Sequence, residues 1–244
     1  STSTPSSCGP MDRGGPLSDV NSVVMSEPEN EIESARTVAE SPESDGQTAE
    51  VGAEASSDSP LDEETLRKRE EALAQVVQYG DPVLKSKASP VTEFDDALAE
   101  EIERMIGLMR DGLGVGLAAT QVGKLKRLLV FQTNSDAQPQ ALINPEIEWL
   151  SEDSEIMSEG CLSIPRVVVD VERPLYARVR GQDQSGGQML IEASGHEARV
   201  LQHEIDHLDG VLILDRTERA QRKGALKALR RGESFSPLPD DDES

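Results

Sequence analysis

Aromatic residues are scarce. The 244-residue chain holds three Phe, two Tyr and one Trp, and none precedes Tyr79. Over residues 1–60 that shortage coincides with 12 Asp/Glu against only Arg13 and Arg36, and with many Ser, Pro and Gly. Such a segment buries too little apolar surface to offset the entropy of ordering, so residues 1–60 read as a disordered acidic tail. Basic charge is short as well, 24 Lys+Arg against 47 Asp+Glu, for a formal net charge of −23. A phosphate backbone needs a basic face, which excludes nucleic acid as the main ligand of the whole chain. Long apolar runs are missing, so no membrane-spanning helix is expected. The acidic first stretch has no apolar h-region and reads as neither a secretory signal nor an Arg-rich transit peptide. Cysteine is limited to Cys8 and Cys161. A disulfide between them would tie a tail to a core, so the expectation is a reducing cytoplasm with Cys161 free or bound to metal.

What remains is one domain over residues 61–232, followed by a short acidic C-terminal tail, 233–244, also read as disordered. Residues 61–78 look helical, and Gly80-Asp81-Pro82 turns the chain. Phe94, Leu98, Ile102, Met105, Ile106 and Met109 fall at helical spacing over 93–110, with Thr92 as the N-cap. A Gly-rich segment, 111–123, leads into a short strand at Leu128–Phe131. From Ala141 to Ile191 the pattern is β-like, and 181–188 reads as a hairpin turn. Residues 196–209 and 216–231 return to helix. No internal repeat is present. This order predicts an α+β fold, with antiparallel β-sheets packed around a central helix and a further helix at the C-terminal end.

All three histidines, His196, His203 and His207, lie within twelve residues of one another. His203-Glu204-Ile205-Asp206-His207 is an HExxH pattern. On a helix, i and i+4 share a face, so both imidazoles reach one metal ion, and Glu204 projects beside it as a general base. The bland alternative is an amphipathic helix with two solvated histidines. A catalytic site of this kind needs a third protein ligand. The extended HExxHxxGxxH pattern of one group of zinc endopeptidases holds through Gly210 and fails at Ile213, while Glu218 sits among arginines. The remaining donor is Cys161, whose thiolate suits a borderline-soft divalent metal. Gly114-Val115-Gly116 could pass for a dinucleotide fingerprint, but that motif needs a strand before it and a helix after it. Here the order is reversed, so no nucleotide cofactor is expected.

Three motifs, GVGLAATQ (Gly114–Gln121), EGCLS (Glu159–Ser163) and QHEIDHLDG (Gln202–Gly210), resemble the signature motifs of peptide deformylases and come in that family's order. The likeness extends through Gln78–Pro82 and covers roughly residues 74–230. The resemblance implies removal of the N-formyl group from the first methionine of nascent peptides, releasing formate. It implies that Cys161, His203 and His207 bind one divalent metal with water in the fourth place. Fe2+ is usual in the family, and Zn2+, Ni2+ or Co2+ can occupy the site. Glu204 would be general base and proton shuttle. The side-chain amide of Gln121 and the backbone N–H of Leu162 would meet the charge growing on the formyl oxygen. Substrate would lie along Gly114, Val115 and Gly116 as an added strand. Val115, Glu159 and Val200 would wall the pocket for its first residue.

Some members carry an arginine seven residues after the metal cysteine. Val168 stands there, leaving Arg166 as a replacement or the contact absent. His196 is expected at a solvent edge. Asp206 suits either a hydrogen bond to a ligand imidazole or a solvated helix face. The basic stretch 216–231 suits either an ordinary C-terminal helix or docking to ribosomal RNA, with Gly224 expected to interrupt the helix. The setting implied is a bacterial cytoplasm.

Overall fold

The computed structural model describes residues 62–134 and 136–237, so the acidic segment 1–60 lies outside the described residues, as do residues 238–244. Asp62 opens α1 (Glu63–Leu73), its side chain accepting from the Thr65 N–H. The expected helix to residue 78 stops early because tertiary partners claim the backbone. Val77 donates its N–H to Gln121 O at 2.7 Å and Tyr79 to Ser163 O at 2.8 Å. A 3₁₀ turn, Pro82–Lys85, precedes α2 (Asp96–Asp111). The cap of α2 is Asp95, which accepts from the Leu98 N–H, so Thr92 and Phe94 lie ahead of the helix.

Five antiparallel strands form the main sheet in the order β1 (Gly116–Ala118), β2 (Leu128–Phe131), β3 (Gln140–Leu150), β6 (Tyr176–Gln182) and β7 (Gln188–Ser194). The turn expected at 181–188 joins β6 to β7, with Gln182 opposite Gln188. A separate hairpin pairs β4 (Ser154–Cys161) with β5 (Ile164–Pro174). Its register breaks between Gly160 and Cys161, and within that irregularity Arg166 takes a φ of 63°.

Helix α3 (Gly195–Leu208) packs against β1, β2, β5, β6 and β7, which makes it the central element. Ala198, Leu201, Ile205 and Leu208 meet Leu129, Phe131 and Leu142 of the sheet in one apolar cluster. A second cluster seats α2 on β1 and β2, and a third joins β5 to the segments beyond α3. Gly210 ends α3 at a φ of 74°, where a Cβ would lie 2.7 Å from Lys85 O. Both the backbone geometry and the contact require glycine there.

The basic stretch is two helices, α4 (Ile213–Arg216) and α5 (Arg219–Arg231), parted at Thr217 and Glu218. Gly224 does not interrupt α5. It sits inside the helix, where a Cβ would overlap the Phe235 ring. Phe235 also corrects the expected domain edge at 232. Its N–H donates to Arg166 O and its carbonyl accepts from Val168 N–H, both at 2.8 Å, so the chain beyond α5 pairs with β5. Among the described residues no helix is long and apolar enough to cross a membrane.

Candidate active site

Helix α3 carries His203 and His207 on one face, and the end of β4 brings Cys161 to them across 42 residues of chain. Their ligand-type atoms lie within 4.8 Å of one another, with Cys161 Sγ 3.2 Å from His207 Nε2. The two imidazoles meet edge to face, their centroids 4.9 Å apart. Among the described residues this is the one group of Cys, His and carboxylate donors gathered in this way. Ile213, where the endopeptidase pattern needs histidine, is buried in the core, and Glu218 precedes α5.

Gln121 reaches the cluster from a 3₁₀ turn, Ala119–Val122. Its Oε1 accepts from the Ala118 N–H at 2.8 Å, which leaves Nε2 facing the cluster, 3.6 Å from Cys161 Sγ and 3.4 Å from Ser163 Oγ. The amide is therefore aimed by its own neighbours. Glu204 lies beside Gly116, buried, and its Oε2 has no hydrogen-bond partner among the described residues. Burial pushes its carboxyl up to about 7, against the pull of His203 and Arg173. A buried carboxyl poised near neutrality is suited to taking and returning a proton. His207 is pushed the other way, well below the usual imidazole range, by burial and by positive neighbours including Arg173.

Glu159, expected in a substrate pocket wall, lines the cavity over the cluster and also holds a set of buried partners. Its Oε2 faces His203 Nδ1 at 3.0 Å, and its carboxylate accepts from Arg173 at 2.6 and 3.0 Å and from Arg199 at 2.7 Å. Burial alone would raise its pKa, but the hydrogen bonds from His203 and Arg173 outweigh it and hold the group at about 2. The charged carboxylate fixes the ring of His203 so that Nε2 is the nitrogen presented to the cluster. Arg173 and Arg199 were not singled out from the sequence. Arg199 carried a signal, since it precedes His203 by four residues on the same helix face. Arg173 carried little, being one charged residue in an alternating strand. Asp206 fits neither of its two sequence readings. It is buried and accepts from Arg173 at 2.9 Å and from Arg216 Nε at 3.0 Å.

A cavity of about 880 Å³ opens over the cluster. Gly114, Val115 and Gly116 line one side, and Met157 to Leu162 of the β4–β5 hairpin line another. Among the described residues β1 is the edge strand of its sheet and β4 pairs only with β5, so the cleft runs between two strand edges. Gln121, Leu162, Val200, His203 and Glu204 also reach its surface. His207 is nearly fully buried behind them. His196 is exposed at the rim. Val168 and Arg166 both line the cavity, and Arg166 Nη1 donates to Gly232 O at 3.3 Å.

Comparison with known proteins agrees with this geometry. A family model described as polypeptide deformylase matches residues 73–223. The peptide deformylase of Thermotoga neapolitana is 50% identical over 157 residues, covering 64% of this chain and 94% of that one. Peptide deformylase 1 of Corynebacterium glutamicum is 44% identical over 167 residues, covering 68% of this chain and 99% of that one. Among solved structures, a peptide deformylase from Synechococcus elongatus in complex with actinonin superposes with a TM-score of 0.61 at 41% identity, covering 67% of this chain and 91% of that one. That of Thermotoga maritima gives 0.57 at 46% identity, covering 59% and 96%. The chain belongs to the polypeptide deformylase family.

Proposed function

We propose that this protein is a metal-dependent hydrolase that removes the N-formyl group from the starting methionine of newly made polypeptides, releasing formate. The observation that carries this reading is the Cys161, His203 and His207 cluster, set beside the buried Glu204 carboxylate, whose Oε2 has no hydrogen-bond partner among the described residues. One thiolate and two imidazoles fit a borderline-soft divalent cation. The unpaired Glu204 Oε2 fits a site whose missing neighbour is a proton donor such as water. When bound, such a cation would act as a Lewis acid and lower the pKa of water toward neutrality.

The chain's own groups then have separable tasks. Glu204 takes a proton from the attacking water and returns it to the departing amine, which needs a carboxyl that can exist in both states near pH 7. Gln121 Nε2 and the Leu162 N–H donate to the formyl oxygen as negative charge grows on it. Glu159 holds His203. The edge of β1 from Gly114 to Gly116 accepts the peptide as an added strand, a mode tolerant of sequence. The assay is formate release from formyl-Met peptides, with and without a chelator, on wild type and Glu204→Ala. The variant should bind metal normally and lose about 10²- to 10⁴-fold in rate. Undiminished turnover by the variant would overturn the reading.

Three finer assignments belong to the same proposal. Fe2+ is the resident metal, as the family resemblance implies, and metal analysis of protein purified without oxygen tests it. Residues 1–60 are dispensable for deformylation of a short peptide, and truncation tests that. The basic face of α5 docks on the ribosome in a bacterial cytoplasm, a setting supported by relatives from Thermotoga and Corynebacterium. Arg219, Arg222, Lys223, Lys227, Arg230 and Arg231 supply the charge. Co-sedimentation should weaken with salt and with charge reversal at Arg222, Lys223, Lys227 and Arg230.

A further inference from the structure

Helix α1 lies ahead of the family-matched region, sharing with it only Leu73. It is nevertheless fixed to the domain. Ala72 is buried in the cluster formed with α2, and Gln75 Oε1 just beyond the helix accepts from Arg104 Nη1 at 3.2 Å. Arg69 and Leu73, four residues apart on one face, both line the cavity over the Cys161, His203 and His207 cluster. The cleft therefore has a wall that the family motifs do not supply.

The neighbours of Arg69 leave its charge available. Arg67 pairs with Glu71 and Lys68 with Glu64, each four residues away. Four residues either side of Arg69 stand Thr65 and Leu73, and three either side stand Leu66 and Ala72. None can form an ion pair. The guanidinium makes no hydrogen bond or salt bridge with another described residue. Of the other charged groups of the cavity, the carboxylates and Arg199 are engaged, and Arg166 gives a donor to the backbone without an ion pair to a described residue. Glu159 and Arg199 bind each other, Glu204 is given to hydrolysis, Arg166 donates to Gly232 O, and Glu233 lies 3.9 Å from Arg231. His196 stands at the rim.

We propose that α1 is part of the substrate cleft and that Arg69 selects for a carboxylate on the residues that follow the formyl-methionine. This inference rests on the deformylase reading. A planar guanidinium suits a carboxylate bidentately, better than it suits an amide or an ammonium. A peptide held by its first residue at the cluster carries its next residues out along the cleft at about 3.3 Å each. The net charge of −23 opposes acidic substrates at long range. The preference is therefore local and should shrink as salt rises.

The test compares C-terminally amidated formyl-Met peptides bearing Glu, Gln or Lys at the second, third or fourth position. Wild type, Arg69→Gln and Arg69→Glu are each assayed, and the Glu-to-Lys ratio within each protein cancels any general loss of activity. Wild type should favour Glu by about two- to five-fold in kcat/KM at one position or more, the size expected of a partly exposed ion pair. Arg69→Gln should bring the ratio to about one, and Arg69→Glu should invert it. Free-acid peptides lacking Glu separate a C-terminal carboxylate from a side-chain one. Titration of the same peptides into a Glu204→Ala background reads the preference without turnover, so a failure of the deformylase reading is seen separately. The same ratio in wild type and Arg69→Glu, in both assays, would overturn the proposal.

Discussion

Gly116→Ala places one methyl group against the proposed general base. A Cβ there would overlap Glu204 Oε1 and lie 2.8 Å from both Cδ and Cγ of that side chain. The φ of Gly116 lies outside the left-handed region, so alanine suits the backbone and the effect is steric. Ordinary carbon contacts begin near 3.5 Å, so the carboxyl must retreat by on the order of 1 Å. Because Cγ and Cδ are both involved, rotating the tip alone does not relieve the overlap. A displacement of that size at a reacting group costs about 100-fold in rate. Overpacking costs about 1–3 kcal/mol. The low end applies, since Glu204 faces a cavity, and Tm should fall by about 2–4 °C. Metal content should hold, because the three atoms nearest the new methyl all belong to Glu204 and not to Cys161, His203 or His207. The assay is kcat for formate release beside metal analysis and a thermal melt. Gly114→Ala is the control: its Cβ would meet the flexible tip of Leu162 at 3.0 Å, so it should act mainly on KM. If Gly116→Ala keeps kcat within about twofold of wild type, Glu204 does not act from the position described.

Cys161→Ser replaces a thiolate by a neutral hydroxyl and should lose most metal affinity. Equilibrium dialysis against the metal checks it, and stoichiometric metal at unchanged affinity would remove Cys161 from the ligand set. Gln121→Ala should lower kcat by about 10²- to 10³-fold with little change in KM, the range for one lost oxyanion donor. A rise in KM alone would make Gln121 a substrate-binding group instead. Glu159→Ala leaves Arg173 and Arg199 buried without their carboxylate and frees His203. It should cost about 3–5 kcal/mol in stability by denaturant titration and about 10- to 100-fold in metal affinity. Gly224→Ala should push Phe235 off α5 and release its pairing with β5. Faster amide exchange at Phe235 and Val168 would report this, and unchanged exchange would count against the contact.

The local pattern of this chain already contained its main elements and its chemistry. Alternating valines in β5, the periodicity of α2 and the HExxH spacing on α3 are short-range features, and local propensity with side-chain period sets them. His203, His207 and Glu204 were legible because an i,i+4 pair on a helix fixes its own geometry wherever the helix goes, whereas Cys161 comes to them from another element. What depended on tertiary structure was every partner distant in sequence. Helix α1 ends at Leu73 because Gln121 and Ser163 capture the chain beyond it, and Gly224 is retained in α5 because Phe235 packs there. Glu159 was readable as a pocket wall beside Cys161, and it does line the cavity, but its ion pairs were not readable. Its partners Arg173 and Arg199 come from other elements, and only their burial together turns three charged residues into the support of His203. The same holds for Asp206, which finds Arg173 and Arg216, and for Arg69, whose place in the cleft is decided by how α1 packs on α2. Burial of charge is a property of the assembled core. No window of sequence contains it.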